Sequence, residues 1–250
     1  MSHTYEADDR VFQKLRASGK KCWDEQSDPL ASFDNFLMRP FLEESLATIA
    51  APLEGRSALE IGCGSGPISC YLAGRGLAVR GLDVSPTALE MARQHAAERG
   101  LKVQFDSADI CNFPEQRERY DVIVDGHCLH YFVLDEDRRK AFAVIYRLLK
   151  PGGLFVIETM ISHPAFVAGA NYRFDAKYVL SIKVEDPAGA VGAFSSDGQW
   201  FAPYRRILPM EQVLAELDDA GFVVHFHREV EQQDPRKPML MQIRAGHRTA

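Results

Sequence analysis

Leu59-Glu60-Ile61-Gly62-Cys63-Gly64-Ser65-Gly66 is the stretch whose reading decides the fold. Ala58, Leu59 and Ile61 form a short apolar run that reads as a strand, and glycines at 62, 64 and 66 turn it sharply. Pro67 then opens a helical pattern over 67–74 through Ile68, Tyr71 and Leu72. At the first position of a helix its missing N–H costs nothing and its φ is already helical. Alternate glycines let the backbone fold tightly and let a ligand lie against main-chain atoms, where a Cβ would intrude. A strand-to-helix turn of this kind predicts a nucleotide-type ligand.

Working outward from this turn, strands and helices alternate. A second strand over 77–82 ends at Asp83, and Ser85 and Pro86 supply an N-cap and first helical residue for a helix ending at Gly100. Strands follow over 103–105 and 120–124, the latter ending at Asp125. A helix is predicted over 135–150, with Ala141, Ile145, Leu148 and Leu149 on one stripe, Lys150 in its last turn and Gly152 just beyond. A fifth strand spans 154–159, a further helix 209–221, and two closing strands 222–226 and 239–243 flank a charged loop. The repeated strand–helix alternation predicts an α/β, doubly wound, mainly parallel seven-stranded sheet with helices on both faces. In such sheets ligands bind beyond the carboxyl ends of the strands, where Glu60, Asp83, Asp109 and Asp125 all fall.

A chain of 250 residues buries a full core, and 46% hydrophobic with 26% charged residues is an ordinary globular balance. The net charge of −6 argues against nucleic acid or an anionic membrane as partner. The polar, acidic N-terminus is unlike a signal peptide, and no apolar run approaches the roughly 20 residues that span a bilayer. Five cysteines without C-x-x-C spacing indicate neither a disulfide framework nor a zinc ribbon, and no second cluster joins His127, Cys128 and His130 as a metal site. A cytoplasmic protein, monomer or homodimer, without metal is expected.

The dinucleotide fingerprint G-x-G-x-x-G would place its third glycine where this chain has Pro67, and Glu60 would repel a pyrophosphate while suiting an ammonium. The arrangement E-x-G-x-G-x-G resembles the first motif of class I S-adenosylmethionine-dependent methyltransferases, which have a Rossmann-like fold. The resemblance runs motif by motif over about residues 55–160. It implies S-adenosylmethionine as cofactor, with Glu60, Gly62, Gly64 and Gly66 around its amino-acid end and Asp83 on the ribose hydroxyls. Val84 would lie against the adenine, Asp109 would accept from its exocyclic amine, and Ile110 would cover the ring. Asp125 and Gly126 resemble the segment after the fourth strand where the methionine end and the substrate meet. His127 and His130 are both candidates for the general base, since imidazole titrates near neutrality, and His130 suits a purely structural place as well. A nicotinamide-dependent oxidoreductase would share the fold and Asp83, and a protein-directed methyltransferase is the other alternative.

Residues 1–54 read as an N-terminal helical cap whose Trp23, Phe33, Phe36, Arg39 and Phe41 close one side, 55–160 as the cofactor-binding core, and 209–250 as the C-terminal helix and closing strands. Residues 161–208 are too many for a plain connection and read as a substrate lid. Tyr172, Arg173, Trp200 and Tyr204, with Arg205, would suit a planar, anionic small-molecule methyl acceptor.

Overall fold

In the computed structural model, residues 3–26, 28–50, 52–230, 234 and 237–248 are described, with side chains from residue 9 onward. Helix α1 (His3–Ala17), a 3-10 turn (Trp23–Gln26) and α2 (Arg39–Leu46) precede the glycine turn. Then come β1 (Ser57–Ile61), α3 (Pro67–Gly74), β2 (Ala78–Asp83), α4 (Pro86–Glu98) and β3 (Val103–Ser107). They are followed by β4 (Tyr120–Gly126), α5 (Asp135–Leu148) and β5 (Leu149–Ile161). Strands β6 (Tyr172–Phe174), β7 (Val179–Val184), β8 (Phe194–Ser196) and β9 (Gln199–Arg206) form the insertion. Helix α6 (Met210–Asp219), β10 (Phe222–Val230) and β11 (Met239–His247) complete the chain.

The seven-stranded sheet runs β10-β11-β5-β4-β1-β2-β3. Strands β1 to β5 are mutually parallel, and β11 is antiparallel to both β5 and β10. Side chains of a strand point alternately to opposite faces, and here both faces are buried. Leu59, Ile61, Ile123, Phe155 and Ile157 pack on Phe142, Ile145 and Leu148 of α5 and Leu217 of α6. Ala58, Val122, Val124 and Val156, from the same strands, pack on Phe41, Leu42 and Leu46 of α2 and Ile68 and Leu72 of α3. Near-continuous apolar runs in β1, β4 and β5 are therefore what a sheet covered on both sides requires.

Helix α5 ends at Leu148, two residues earlier than the apolar stripe predicts, because Pro151 biases Lys150 away from helical backbone. Leu149 is already extended (φ −76°, ψ 136°) and begins β5, and the Lys150 ammonium lies 2.7 Å from Asp121. Gly152 (φ 75°) belongs to the register shift through which β5 joins β4, between the Tyr120–Leu149 and Val122–Leu154 pairs. The closing strands run further than read, to Val230 and His247, since their alternate residues are polar and left little apolar signal. The insertion is itself a four-stranded antiparallel sheet, ordered β6-β7-β9-β8. The loop between β10 and β11 lies largely outside the described residues.

Candidate functional site

A cleft of about 300 Å³ opens at the carboxyl ends of β1, β2, β4 and β5, lined by the glycine turn, by Asp83 and Val84, by Asp109 and Ile110, and by residues 126–128 and 130–132. Gly62, Gly64 and Gly66 have φ of 63°, 51° and 85°, left-handed values that glycine adopts without strain. A Cβ on Gly62 would stand 2.7 Å from both Cβ and Sγ of Cys128, and one on Gly126 would collide with the Ile68 side chain. The turn is also internally bonded. Cys63 N–H donates to the Leu82 carbonyl at 2.8 Å, Gly64 N–H to Asp83 Oδ2 at 2.8 Å, and Gly66 N–H to the Cys63 carbonyl at 2.9 Å.

Of the acidic residues predicted from strand ends, Glu60, Asp83 and Asp109 line the cleft and Asp125 does not. Asp83 accepts from Gly64 and, through Oδ1, from Ser85 N–H at 2.8 Å, so it positions the turn as well as facing the cleft. Ser85 in turn caps α4, accepting from Ala88 N–H at 3.0 Å. Asp109 accepts from Cys111 N–H at 2.9 Å and the Asn112 amide at 2.7 Å. Glu60 is buried with Ser69 donating to it, and burial first, then the nearby Asp83 and Asp125, push its pKa up to about 8. Asp125 is buried too and accepts from Cys128 N–H at 2.8 Å and Leu129 N–H at 3.1 Å; burial pushes its pKa up to about 7. It shapes the turn behind β4 rather than lining the cleft.

The two histidines are set apart by their environments. His127 leaves β4 with φ 71°, a conformation a non-glycine residue holds only against a cost. Its backbone N–H donates to the Glu158 carbonyl, and its Nε2 lies 2.9 Å from Glu158 Oε1. Burial works against the charged imidazole, but the Glu158 hydrogen bond together with the charges of Glu158, Asp24 and Asp125 outweighs it and holds the His127 pKa above its ordinary value. Gln242 of β11 donates to the other oxygen of Glu158. His130 goes the other way: burial, then the charge of Arg205, lower its pKa well below the ordinary value, so it is neutral. Its Nδ1 is 3.4 Å from the Thr159 hydroxyl. The 3-10 turn that carries His130 and Tyr131 is pinned from below, where Arg138 donates to the Leu129 carbonyl at 2.7 Å and forms a two-pronged pair with Glu216.

Glu158 was hidden from sequence reading as a site residue, although a single acid inside the apolar run of β5 is the signal for it: a buried carboxylate needs a partner. Of the aromatic N-terminal residues, Trp23 and Phe36 line the cleft with Phe12, Asp24, Leu37 and Met38. Phe33 packs on His95 at 4.5 Å and Phe41 lies in the core, both away from the cleft wall. Arg39 pairs with Glu43 on the surface of α2. From the insertion, Arg205 alone lines the cleft, and Tyr204 backs it through contacts of its hydroxyl with Tyr131 and Arg205. Arg173 lies over Phe201 and pairs with Asp197, Tyr172 sits in β6 away from the lining, and Trp200 is 42% exposed.

The residues present fit S-adenosylmethionine. Four carboxylates (Asp24, Glu60, Asp83, Asp109) line the cleft, and among the described residues Arg205 is its sole lysine or arginine, on the side of Tyr131 and Met160. An acceptor-rich wall suits an ammonium and ribose hydroxyls. With the N–H groups of Cys63, Gly64 and Gly66 already engaged within the protein, the glycine turn has fewer donors to offer the pyrophosphate of a nicotinamide cofactor. Among the described residues, no three His, Cys, Asp or Glu side chains converge as for a metal ion, and no helix is long and apolar enough to cross a membrane.

Residues 58–153 match a family described as "Methyltransferase domain". Ubiquinone biosynthesis O-methyltransferases from Alkalilimnicola ehrlichii and Pseudomonas savastanoi pv. phaseolicola are each 30% identical to this chain. The alignments cover 66% and 64% of it and 66% and 68% of those proteins. The 2-heptyl-1-hydroxyquinolin-4(1H)-one methyltransferase of Mycobacteroides abscessus is 40% identical over 40% of this chain and 44% of its own. An S-adenosylmethionine-dependent methyltransferase from Methanosarcina mazei shares the fold with a TM-score of 0.61 at 20% identity, over 83% of this chain and 97% of that one.

Proposed function

Since the chain belongs to the class I S-adenosylmethionine-dependent methyltransferases, we propose that it methylates a hydroxyl oxygen of a small planar acceptor, with His127 as general base. The hydrogen bond between His127 and Glu158 at the cleft wall carries this reading. When bound, S-adenosylmethionine supplies a methyl group already activated on a sulfonium. Asp83, Asp109, Val84 and Ile110, which line the cleft, would hold its nucleoside, while Glu60, the glycine turn and the backbone at Gly126 would hold its amino-acid end. Trp23, Tyr131 and Phe132 offer ring faces and edges to a planar acceptor. With Nε2–H held by Glu158, His127 Nδ1 is the atom left to take the acceptor's proton, and Glu158 stabilises the imidazolium that forms. Holding the acceptor oxygen in line with the methyl group supplies roughly 7–11 kcal/mol of the barrier. Residues 161–208 act as the lid that excludes water from this alignment.

Two observations support the acceptor class. The relatives named above are an O-methyltransferase of ubiquinone biosynthesis and an enzyme whose named substrate is a ring-borne hydroxyl compound. The charge of −6 supports a small acceptor over nucleic acid, and five free cysteines support a reducing cytoplasmic setting. The test is transfer of labelled methyl to a panel of phenols, catechols and hydroxyquinolones beside amines and thiols. O-methyl products are expected, with His127→Gln lowering kcat by about 10²–10⁴ while S-adenosylhomocysteine affinity is kept. Label only in amines or thiols, or an undiminished kcat in the variant, would overturn the assignment.

A further inference from the structure

Arg205 extends from β9 of the insertion into the cleft, and its electrostatics are unfinished. Two of its five N–H groups donate from Nη2 to the hydroxyls of Tyr131 (3.0 Å) and Tyr204 (3.1 Å), and one donates from Nη1 to the Met160 sulfur (3.3 Å). Its Nε is buried and has no partner. Among the described residues no carboxylate lies within ion-pair distance of it, although its neighbours in the insertion are paired, Arg173 with Asp197 and Arg206 with Asp135. Phenol oxygens accept a hydrogen bond but carry no charge at neutral pH, so the guanidinium leaves water without an anion. Nor can the cleft's own acids supply one. Asp83 and Asp109 are engaged by backbone amides, Asp24 accepts from Leu37 N–H at 2.8 Å, and Glu60 is buried with Ser69 donating to it.

The guanidinium is also held still. Its carbon lies 5.1 Å from the Tyr131 ring centre and 4.6 Å from that of Tyr204, two rings set edge to face at 85°. A planar cation fixed between two rings, with one N–H of Nη1 uncommitted beside a cleft lined by aromatic side chains, is preorganised for a charge-assisted hydrogen bond to a carboxylate on a flat molecule. Resting on the methyl-transfer reading above, we infer that Arg205 anchors a carboxylate of the acceptor, so that the substrate is a hydroxylated aromatic or heteroaromatic acid. Tyr131 and Tyr204 are its positioning residues.

Calorimetric titration of the S-adenosylhomocysteine complex with benzoate and with benzamide, equal in shape and different in charge, tests this. The wild-type protein is expected to bind benzoate at least about tenfold more tightly than benzamide. Arg205→Gln should remove that preference, and Arg205→Lys should restore part of it, with affinity for S-adenosylhomocysteine unchanged throughout. Equal affinity for the two probes, no binding of benzoate, or a preference that survives in Arg205→Gln would overturn the inference and leave the methyltransferase reading standing. Failure to bind S-adenosylhomocysteine would instead strike at that reading. The wild-type comparison needs no variant, so poor folding of Arg205→Gln would not shelter the idea.

Discussion

Gly62→Ala tests whether the glycine turn is fixed by contact as well as by conformation. The new methyl group would stand 2.7 Å from Cβ and Sγ of Cys128, and the backbone there has φ 63°. Neither wall can retreat cheaply. Gly62 follows directly on the central strand β1, while Cys128 is tied through its own N–H to the buried Asp125. Left-handed backbone costs a non-glycine residue roughly 1–2 kcal/mol, and overpacking a tight site typically costs about 1–3 kcal/mol. The sum, about 2–5 kcal/mol, is smaller than the stability of most domains, so the variant should fold but melt roughly 4–20 °C lower. Urea denaturation of the single variants and of Gly62→Ala/Cys128→Gly separates the two costs, because removing the Cys128 side chain relieves the contact and leaves the strained φ. A favourable coupling of about 1–3 kcal/mol is expected between the two sites. A destabilisation below about 1 kcal/mol, or no coupling, would refute the reasoning.

Three further outcomes follow from the site. In Glu158→Gln, His127 loses the carboxylate that does most to hold its pKa up while burial still opposes its charge, so the rising limb of kcat/KM against pH, which lies above histidine's ordinary 6.5 in the wild type, should move to lower pH with a reduced plateau; an unmoved limb would remove Glu158 from the mechanism. Glu60 keeps its proton far longer when folded than when unfolded, so the ligand-free protein should lose stability as pH rises from 4.5 toward 8, and Glu60→Gln should flatten that decline in denaturant midpoints. Arg138 is 2% exposed and its partner Glu216 25% exposed, so Glu216→Gln should cost about 3 kcal/mol, the lower end for breaking a buried pair, and loosen the turn bearing His130 and Tyr131. Unchanged denaturation and unchanged exchange protection at Tyr131 N–H would contradict this last expectation.

Much of the fold was legible because its signals are local. A glycine-proline turn, a Ser-Pro helix start and apolar strands each depend on a few neighbours in sequence, and α3 spans the predicted 67–74. The helix end at Leu148 was misplaced by two residues because Pro151 acts backward on Lys150, outweighing the apolar stripe. The acids at strand ends were legible for the same local reason, since a parallel sheet puts every such end on one rim. The insertion was legible only as an excess of length. Which of its aromatic and basic residues face inward depends on the pairing of β7 with β9 and the register shift between Leu180 and Ser181.

By itself the sequence determined a strand-to-helix glycine turn backed by Glu60 and followed by Asp83, whose resemblance to the methyltransferase motif pointed to S-adenosylmethionine ahead of a nicotinamide cofactor. Residue type and short-range spacing carry that resemblance. Only the tertiary structure decided which groups face the acceptor. His127 and Glu158 stand 31 positions apart and meet across β4 and β5, and Arg205 reaches Tyr131 over 74 positions. Such pairs are made by the packing of whole strands, and no local pattern records them.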